Sequence, residues 1–545
     1  MSSSPFYHIK GPPNVSPGII PPRLEIYDFV KNEKHFTLYI RALIKIAEEE
    51  ESATSAFEIS GIHDIPLKPW KGGDLNDLDG DEKFFYCVHG TALFPIWHRA
   101  YMSLYESSMK LPPRLPWNTR RPPRSFEAAE RLRLPYWDWA AKAIPPDQVI
   151  LDEKVTITLP GCIQSSVKNP LLAYKFLDPK KIALRDCPNY PTTVRHPAED
   201  GQSSPQASIK RLNAEFKGAQ RDIYRALTQL NTWEEFSNRA AKSKPPFANS
   251  LEAIHDNIHM AIGGGGHMTT SIVLSHFSRP LIPMNGPLTL GVRAFRILQA
   301  CVCVDKIIPA LEPFRDGNNN FWNAANSYQY KALGYTYPEF ADLGDSSPDE
   351  IKSVIRRKIE LLYQRPGVRY FSQLGAFEWT IRIHSGGYDL GGSSFWVLIF
   401  LGEPPADSNQ WFASAEYVGY HAVFANSEYQ TCSNCIARKG LIESILEVGE
   451  KIKELGELGT MTFRPEVVRP YLEKKPNWRV LKVEDPVLPI PLRRQLIIFA
   501  KVDGTEVHVR DLPSLEIIPI SRGPWPSENL VLHPHITKGR AGGAK

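Results

Sequence analysis

"ANSLEAIHDNIHMAIGGGG" (248–266) carries two histidines four residues apart, His255 and His259, in an otherwise apolar run. The apolar residues recur at helical spacing. Asn249 or Ser250 stands where an N-cap belongs, and Glu252 falls in the first turn, where the helix dipole favours negative charge. The glycines from 263 stop the helix. Positions i and i+4 share one helix face, so the two imidazoles can reach one metal ion. The bland alternative is a pair of surface or hydrogen-bonded core histidines. A zinc hydrolase using His255 and His259 needs a glutamate directly after the first histidine as general base; Asp256, with a shorter reach, holds that position.

A second set lies upstream: His63 in "GIHDIP", and His89 and His98 in "FFYCVHGTALFPIWHRAYMSLYE" (84–106). The spacing predicts a helix over 94–109 that carries His98, with His89 just before it. Three imidazoles without a carboxylate suit copper or zinc. Cys87 stands two residues before His89; a small buried thiol is the plain reading.

The 545 residues, 42% apolar and 11% aromatic, are enough for two or more domains with a sizeable core. A net charge of +4, without a basic stripe, argues against nucleic acid as a partner. The longest apolar run, "FWVLIFLG" (395–402), is too short to cross a bilayer. The start "MSSSPFYHIKGPPNVSPG" has no basic segment followed by an apolar run, so a cytoplasmic protein is expected. Seven cysteines are too few for a disulfide framework.

Helices are also expected over 23–50, 208–230 and 347–367, the last with Ile351, Ile355, Ile359 and Leu362 on one side. Beyond about 372 the pattern turns to alternation: "FEWTIRIH" (377–384), "FWVLIFLGE", "EYVGYHAVFA" and "RQLIIFAKVDGTEVHVRDL" read as strands. One helix, 441–456, is expected among them. The expected organisation is a mainly helical core over 1–345, a linker over 346–372, a β-rich domain over 373–535 and a disordered tail over 536–545.

With these segments in view, the sequence resembles the fungal tyrosinases (polyphenol oxidases), type 3 dicopper proteins. "FFYCVHGTALFPIWHRAYMSLYE" is similar to their first copper motif and "ANSLEAIHDNIHMAIG" to the start of the second. "PRLEIYDFVKNEKHFTLYIRAL", "LPYWDWA" (134–140), "NTWEEFSN" (231–238) and "LGYTYPEF" (333–340) look like further landmarks, in the family's order. "AFEWTIRIH" and "CSNC" (432–435) resemble its C-terminal domain.

The resemblance implies a four-helix bundle with long loops around a dicopper site, followed by a β-rich lid, as in latent members. His63, His89 and His98 would bind the first copper, His255 and His259 the second, and Cys87 would form a thioether with His89. Glu252 would order a water near the metals. Asp256 stands where many monophenol-active members carry Asn, and Met260 at the pocket mouth. Arg23 with Tyr335 and Tyr337 would tie the start of the core to its end. The implied chemistry uses O2 to hydroxylate monophenols and to oxidise catechols to o-quinones, feeding melanin formation. Small phenols would be the substrates. A protease would remove the lid, with "RRK" (356–358) and "QRPG" (364–367) as candidate sites in 341–372. "RRK" also reads as a solvated helix face, oligomerisation stays open, and no membrane partner is implied. "CSNC", with Cys432 and Cys435, could handle copper or form a redox pair.

Each copper in that family takes three histidines. The third ligand of the second site belongs in a segment like "FDPIFWLHHCNVDR", but residues 269–303 lack that pattern, and likeness returns only at Val304-Asp305-Lys306. Three readings compete: an interrupted coding sequence, natural loss of the second copper to leave an inactive or one-copper relative, or a substitute ligand. His276 is the leading substitute, beside His267, Cys301 and Cys303.

Overall fold

Ser250, rather than Asn249, caps the helix Leu251–Gly263: its Oγ accepts from the Ala253 amide at 3.2 Å. Gly264, at φ +53°, ends it by donating its amide to the Met260 carbonyl. All its side chains are buried except Asn257. A helix that buries His255, His259, Glu252 and Asp256 together with its apolar residues must satisfy those groups from its neighbours. The computed structural model describes residues 6–9, 20–49, 52–63, 69–73, 86–109, 124–159, 161–176, 191–198, 201–264, 309–328, 331, 333–340, 343, 346–364, 377–425, 440–456, 463–483, 504–523 and 529–545.

Around this helix a single hydrophobic core runs from Ile9 to Tyr363. It is built by Glu33–Glu48, Ala56–His63, Phe94–Ser108 and Pro205–Gln229, the last packed along Leu251–Gly263. The helix expected over 23–50 is two pieces, Ile26–Phe29 and Glu33–Glu48. Asn32 divides them, its side chain accepting from the His35 amide to cap the second. Arg23 donates to Glu106 at 2.7 Å in full burial and lies 3.6 Å over the Tyr335 ring, so the start of the core is fastened to its end.

The stretch 346–372 is not simply a linker. Ser347 caps the helix Pro348–Tyr363 with a reciprocal Glu350 bond, and Ile355, Ile359 and Tyr363 enter the core. Leu362, expected on that buried side, is 38% exposed, because the stripe continues at 363 instead. "RRK" lies inside this helix, with Arg356 and Arg357 exposed.

The C-terminal part holds eight strands among the described residues: β3 (Glu378–Gly386), β4 (Phe395–Leu401), β5 (Tyr417–Val423), β6 (Leu441–Glu447), β7 (Pro476–Val483), β8 (Gly504–Val507), β9 (Glu516–Arg522) and β10 (Leu530–Leu532). The other two, β1 (Lys154–Leu159) and β2 (Ile163–Lys168), form a hairpin in the core domain. The eight make two antiparallel sheets, β10-β9-β3-β6 and β5-β4-β7-β8. Successive strand residues point to opposite faces. On β4, Phe395, Val397, Ile399 and Leu401 meet Ile381, Ile383 and Ile517 of the other sheet. Trp396, Leu398 and Phe400 point the other way and join a cluster with Met260 of the helical domain. That double burial explains the unbroken apolar run "FWVLIFL".

Two expectations fail here. The helix expected over 441–456 is strand β6 followed by the short helix Gly449–Leu455. Pairing with β3 overrides the helical spacing of its leucines and isoleucines. The tail 536–545 is not disordered: Ile536 and Ala544 are buried, Ala541 accepts from the Trp478 indole, and Gly543 pairs with Ile517. The β domain needs these residues to cover its sheet. The part of "RQLIIFAKVDGTEVHVRDL" up to Asp503 lies outside the described residues. No helix among the described residues is long and apolar enough to cross a membrane.

Candidate metal centre

His63 ends the helix Ala56–His63, His89 sits in the loop before Phe94–Ser108, and His98 lies one turn into that helix. With Cys87 they bring one ligand atom each to within 4.8 Å of one another. His63 Nε2 and His98 Nε2 are 3.2 Å apart. Metal–nitrogen bonds of about 2.0–2.1 Å at tetrahedral angles place neighbouring nitrogens roughly 3.3 Å apart, so this spacing fits a shared ion. His98 Nδ1 lies 2.7 Å from the Phe94 carbonyl, which can only accept; the ring proton therefore sits on Nδ1 and the Nε2 lone pair faces the cluster. Burial pushes the His89 ring well below the usual histidine range, which keeps it neutral and able to ligate. Cys87 Sγ lies 3.4 Å from His89 Nδ1.

One turn apart on Leu251–Gly263, His255 and His259 bring their Nε2 atoms to 2.8 Å. His255 Nδ1 lies 3.3 Å from the Asp256 carboxylate, which turns Nε2 inward. Burial, then the charge of Arg239, pushes His255 down to about 3. The two histidine sets adjoin. The His98 and His255 rings are 6.1 Å apart, and Phe94 lies 4.4 Å from His98 and 5.1 Å from His255. The donor set thus fits copper at the first site and supplies two of three imidazoles at the second.

Glu252 does not project freely toward this pocket. Its carboxylate accepts from the Gly90 amide at 2.7 and 3.0 Å and from the Arg239 amide at 3.1 Å. It thereby ties the His89 loop to the second-site helix. Asp256 is ion-paired with the Arg239 guanidinium. Burial pushes Glu252 up to about 7 and Asp256 up to about 6, against the pull of Arg239. Asp256 is therefore committed to a cation, not poised as a hydrolytic base, and the zinc-hydrolase reading finds no support.

The β domain closes the site. The Phe424 ring stacks on His259 at 5.4 Å and 26°. Its carbonyl accepts from Arg239 Nη2 at 2.9 Å. Met260, expected at the pocket mouth, is buried with Trp396, Tyr420 and Phe424. The core also completes the lid's edge strand: Ala241 donates to Leu441, and Glu443 donates to Arg239, both at 2.8 Å. Asn249 bonds both backbone groups of Ile445, at 2.7 and 2.9 Å, and Asp222 at 2.8 Å. An edge strand's open hydrogen-bonding groups are thereby covered.

Two residues at the centre were not singled out from sequence. Arg239 follows "NTWEEFSN" directly, and a lone arginine there has no readable partner until the fold brings Asp256 to it. Phe424 is one aromatic among several in "EYVGYHAVFA". His267, His276, Cys301, Cys303, Cys432 and Cys435 lie outside the described residues.

The family model described as the common central domain of tyrosinase matches residues 53–277, and the tyrosinase C-terminal domain matches 378–499. Polyphenol oxidase 4 of Agaricus bisporus is 30% identical, over 89% of this chain and 84% of that protein. A tyrosinase of Podospora anserina is 29% identical, over 69% and 72% respectively. The solved structure of recombinant mushroom tyrosinase superposes with a TM-score of 0.78 at 26% identity, covering 97% of this chain and 98% of that one. The holo-protyrosinase of Aspergillus oryzae shares the fold, with a TM-score of 0.74 at 20% identity over 97% of each chain.

Proposed function

This chain belongs to the tyrosinase family, and we propose that its helical core oxidises small phenols at a pair of copper ions while its β domain holds it latent. One observation carries the reading: His63, His89 and His98 converge on one point and face the His255–His259 pair across 6.1 Å. When bound, the two coppers supply the activation of O2 for o-hydroxylation of monophenols and oxidation of catechols. The protein's part is geometry. Phe94 fixes His98 through its carbonyl, and a thioether from Cys87 would fix His89. Glu252, through the Gly90 amide, sets the distance between the two histidine sets. The His259 face now under Phe424 is where a phenol ring would rest. Asp256, beside the second pair, holds the Arg239 guanidinium in place through their ion pair.

Latency follows from Phe424 standing on that face. Activation would cut between Tyr363, where the last core helix ends, and β3. "RRK" is held in hydrogen-bonded helix, and a protease needs extended backbone.

A second reading is kept for one reason: the described residues give the second site two imidazoles, and 269–303 lack the family's His-His pair. The deciding experiment is copper content of the purified chain, with oxygen uptake on catechol after limited proteolysis. Two coppers with uptake support the oxidase. One copper without uptake selects a one-copper relative, and a chain that takes no copper sinks both.

A further inference from the structure

We propose that the β domain carries a guanidinium-binding site, an aromatic cage of Trp396, Phe412, Tyr417 and Tyr420, and that Arg211 of the core is the ligand that fills it in the uncut chain. The site needs no copper, so it stands or falls apart from the phenol-oxidase reading.

All four rings belong to the β domain. Trp396 projects from β4 on the face turned away from the sandwich interior, and Tyr417 and Tyr420 come from β5 beside it. Phe412 comes from the 3-10 turn Ser408–Ala413. Its ring stands 6.2 Å from Trp396, 5.4 Å from Tyr417 and 6.4 Å from Tyr420, edge to face each time. The turn is held from within its own domain. The Asp407 carboxylate accepts from the Asn409 amide at 3.0 Å, and the buried Trp411 indole donates to the Pro405 carbonyl at 2.7 Å. A box of π-faces shaped by its own domain is a preformed receptor for a cation.

Arg211 enters this box from the helix Pro205–Gln229. Its guanidinium carbon lies 3.7 Å over the Phe412 ring, 5.1 Å from Tyr420 and 6.0 Å from Trp396. The first is the distance of a flat stack. Glu215, one helical turn on, meets the edge of the same group: Nη2 lies 3.2 Å from its carboxylate. The two side chains are only 14% and 17% exposed, and cation–π attraction grows as water is withdrawn. A planar charge with N–H groups along its edge satisfies stack and carboxylate together; an ammonium has the charge without the plane. Phe424 thus blocks the histidines, and Arg211 retains the domain that carries Phe424.

The test is chemical rescue in the uncut, copper-free chain. Arg211→Ala empties the cage of everything beyond Cβ, and N-ethylguanidinium is the missing piece. Hydrogen exchange at the Glu443 and Ile445 amides, which donate to Arg239 and Asn249 of the core, reports opening between the domains. The variant should exchange there about tenfold faster than wild type. About 10 mM N-ethylguanidinium should recover most of that protection. N-ethylurea has the shape without the charge, and n-propylammonium the charge without the plane; each should recover little. Wild type should respond to none of them. Phe412→Leu keeps Arg211 but removes its stack. Alone it should quicken exchange at the same amides, and combined with Arg211→Ala it should abolish the rescue. Unchanged exchange in either single variant would overturn the proposal. So would quickening that N-ethylguanidinium does not reverse, equal rescue by N-ethylurea or n-propylammonium, an equal response in wild type, or rescue that survives without Phe412. If Arg211→Ala fails to fold, Phe412→Leu alone still decides.

Discussion

Phe424→Ala in the uncut chain should relieve latency without proteolysis. Phe424 is 2% exposed, so the substitution removes a buried phenyl ring. Truncations of this kind cost about 3–5 kcal/mol where the site cannot collapse. The Arg239 contact is to the backbone carbonyl, and the pairing of β6 with 239–241 is between backbone groups, so both survive. The cost then takes one of two forms. If the lid stays seated, a hole the size of a phenol ring opens on the face of His259. If the lid absorbs the cost, about 3 kcal/mol removed from docking raises the open fraction about 100-fold. Either way the ring face becomes reachable. Oxygen uptake on catechol by uncut, copper-loaded variant and wild type is the assay, with protease-treated samples of each as the ceiling. Uncut wild type should sit near the baseline and uncut variant well above it. If the uncut variant stays at the baseline while both cut forms consume oxygen, Phe424 is not the stopper and the reasoning fails.

His98→Ala leaves the first site two imidazoles, and copper content of the purified chain should fall by one ion; unchanged content would remove His98 from the ligand set. Asn249→Ala strips both backbone partners from Ile445, at about 1–3 kcal/mol per buried group. Hydrogen exchange at the Ile445 amide should quicken about 30-fold, and unchanged protection would show that the lid is held elsewhere. Burial pushes the Asp138 carboxyl up to about 6, against the bond it accepts from Tyr363. The folded value lies above the unfolded one, so this contribution to stability is present below about pH 4 and lost as pH rises through about 6, to a limit of roughly 3 kcal/mol. The stability difference between Asp138→Asn and wild type, followed by denaturant unfolding, should therefore grow across that window; a flat difference would contradict the shift.

Much of the site was legible because it is local. His255 and His259 are two helix positions, and an i, i+4 pair on a helix converges whatever surrounds it. The Ser250 cap and the glycine stop fix that helix from its own residues. His63 is different: it reaches His98 from 35 residues away, and no local spacing brings the two rings together. The failures are equally physical. Residues 441–447 have a helical spacing that β3 overrides by offering a strand partner. The glycine-rich tail gains its order from the sheet it covers, which no local pattern reveals.

The sequence by itself determined the chemistry: two histidine sets of metal-ligand type, the helices that carry them, and the change from helical to strand periodicity near 372. Tertiary structure alone decided how that chemistry is controlled. It brought Arg239 to Asp256 and to the Phe424 carbonyl, Phe424 to His259, and Asn249 to Ile445. The last three are contacts between residues more than 160 positions apart, made across the boundary between two domains. Periodicity records which face of an element is buried; it does not record what that face is buried against.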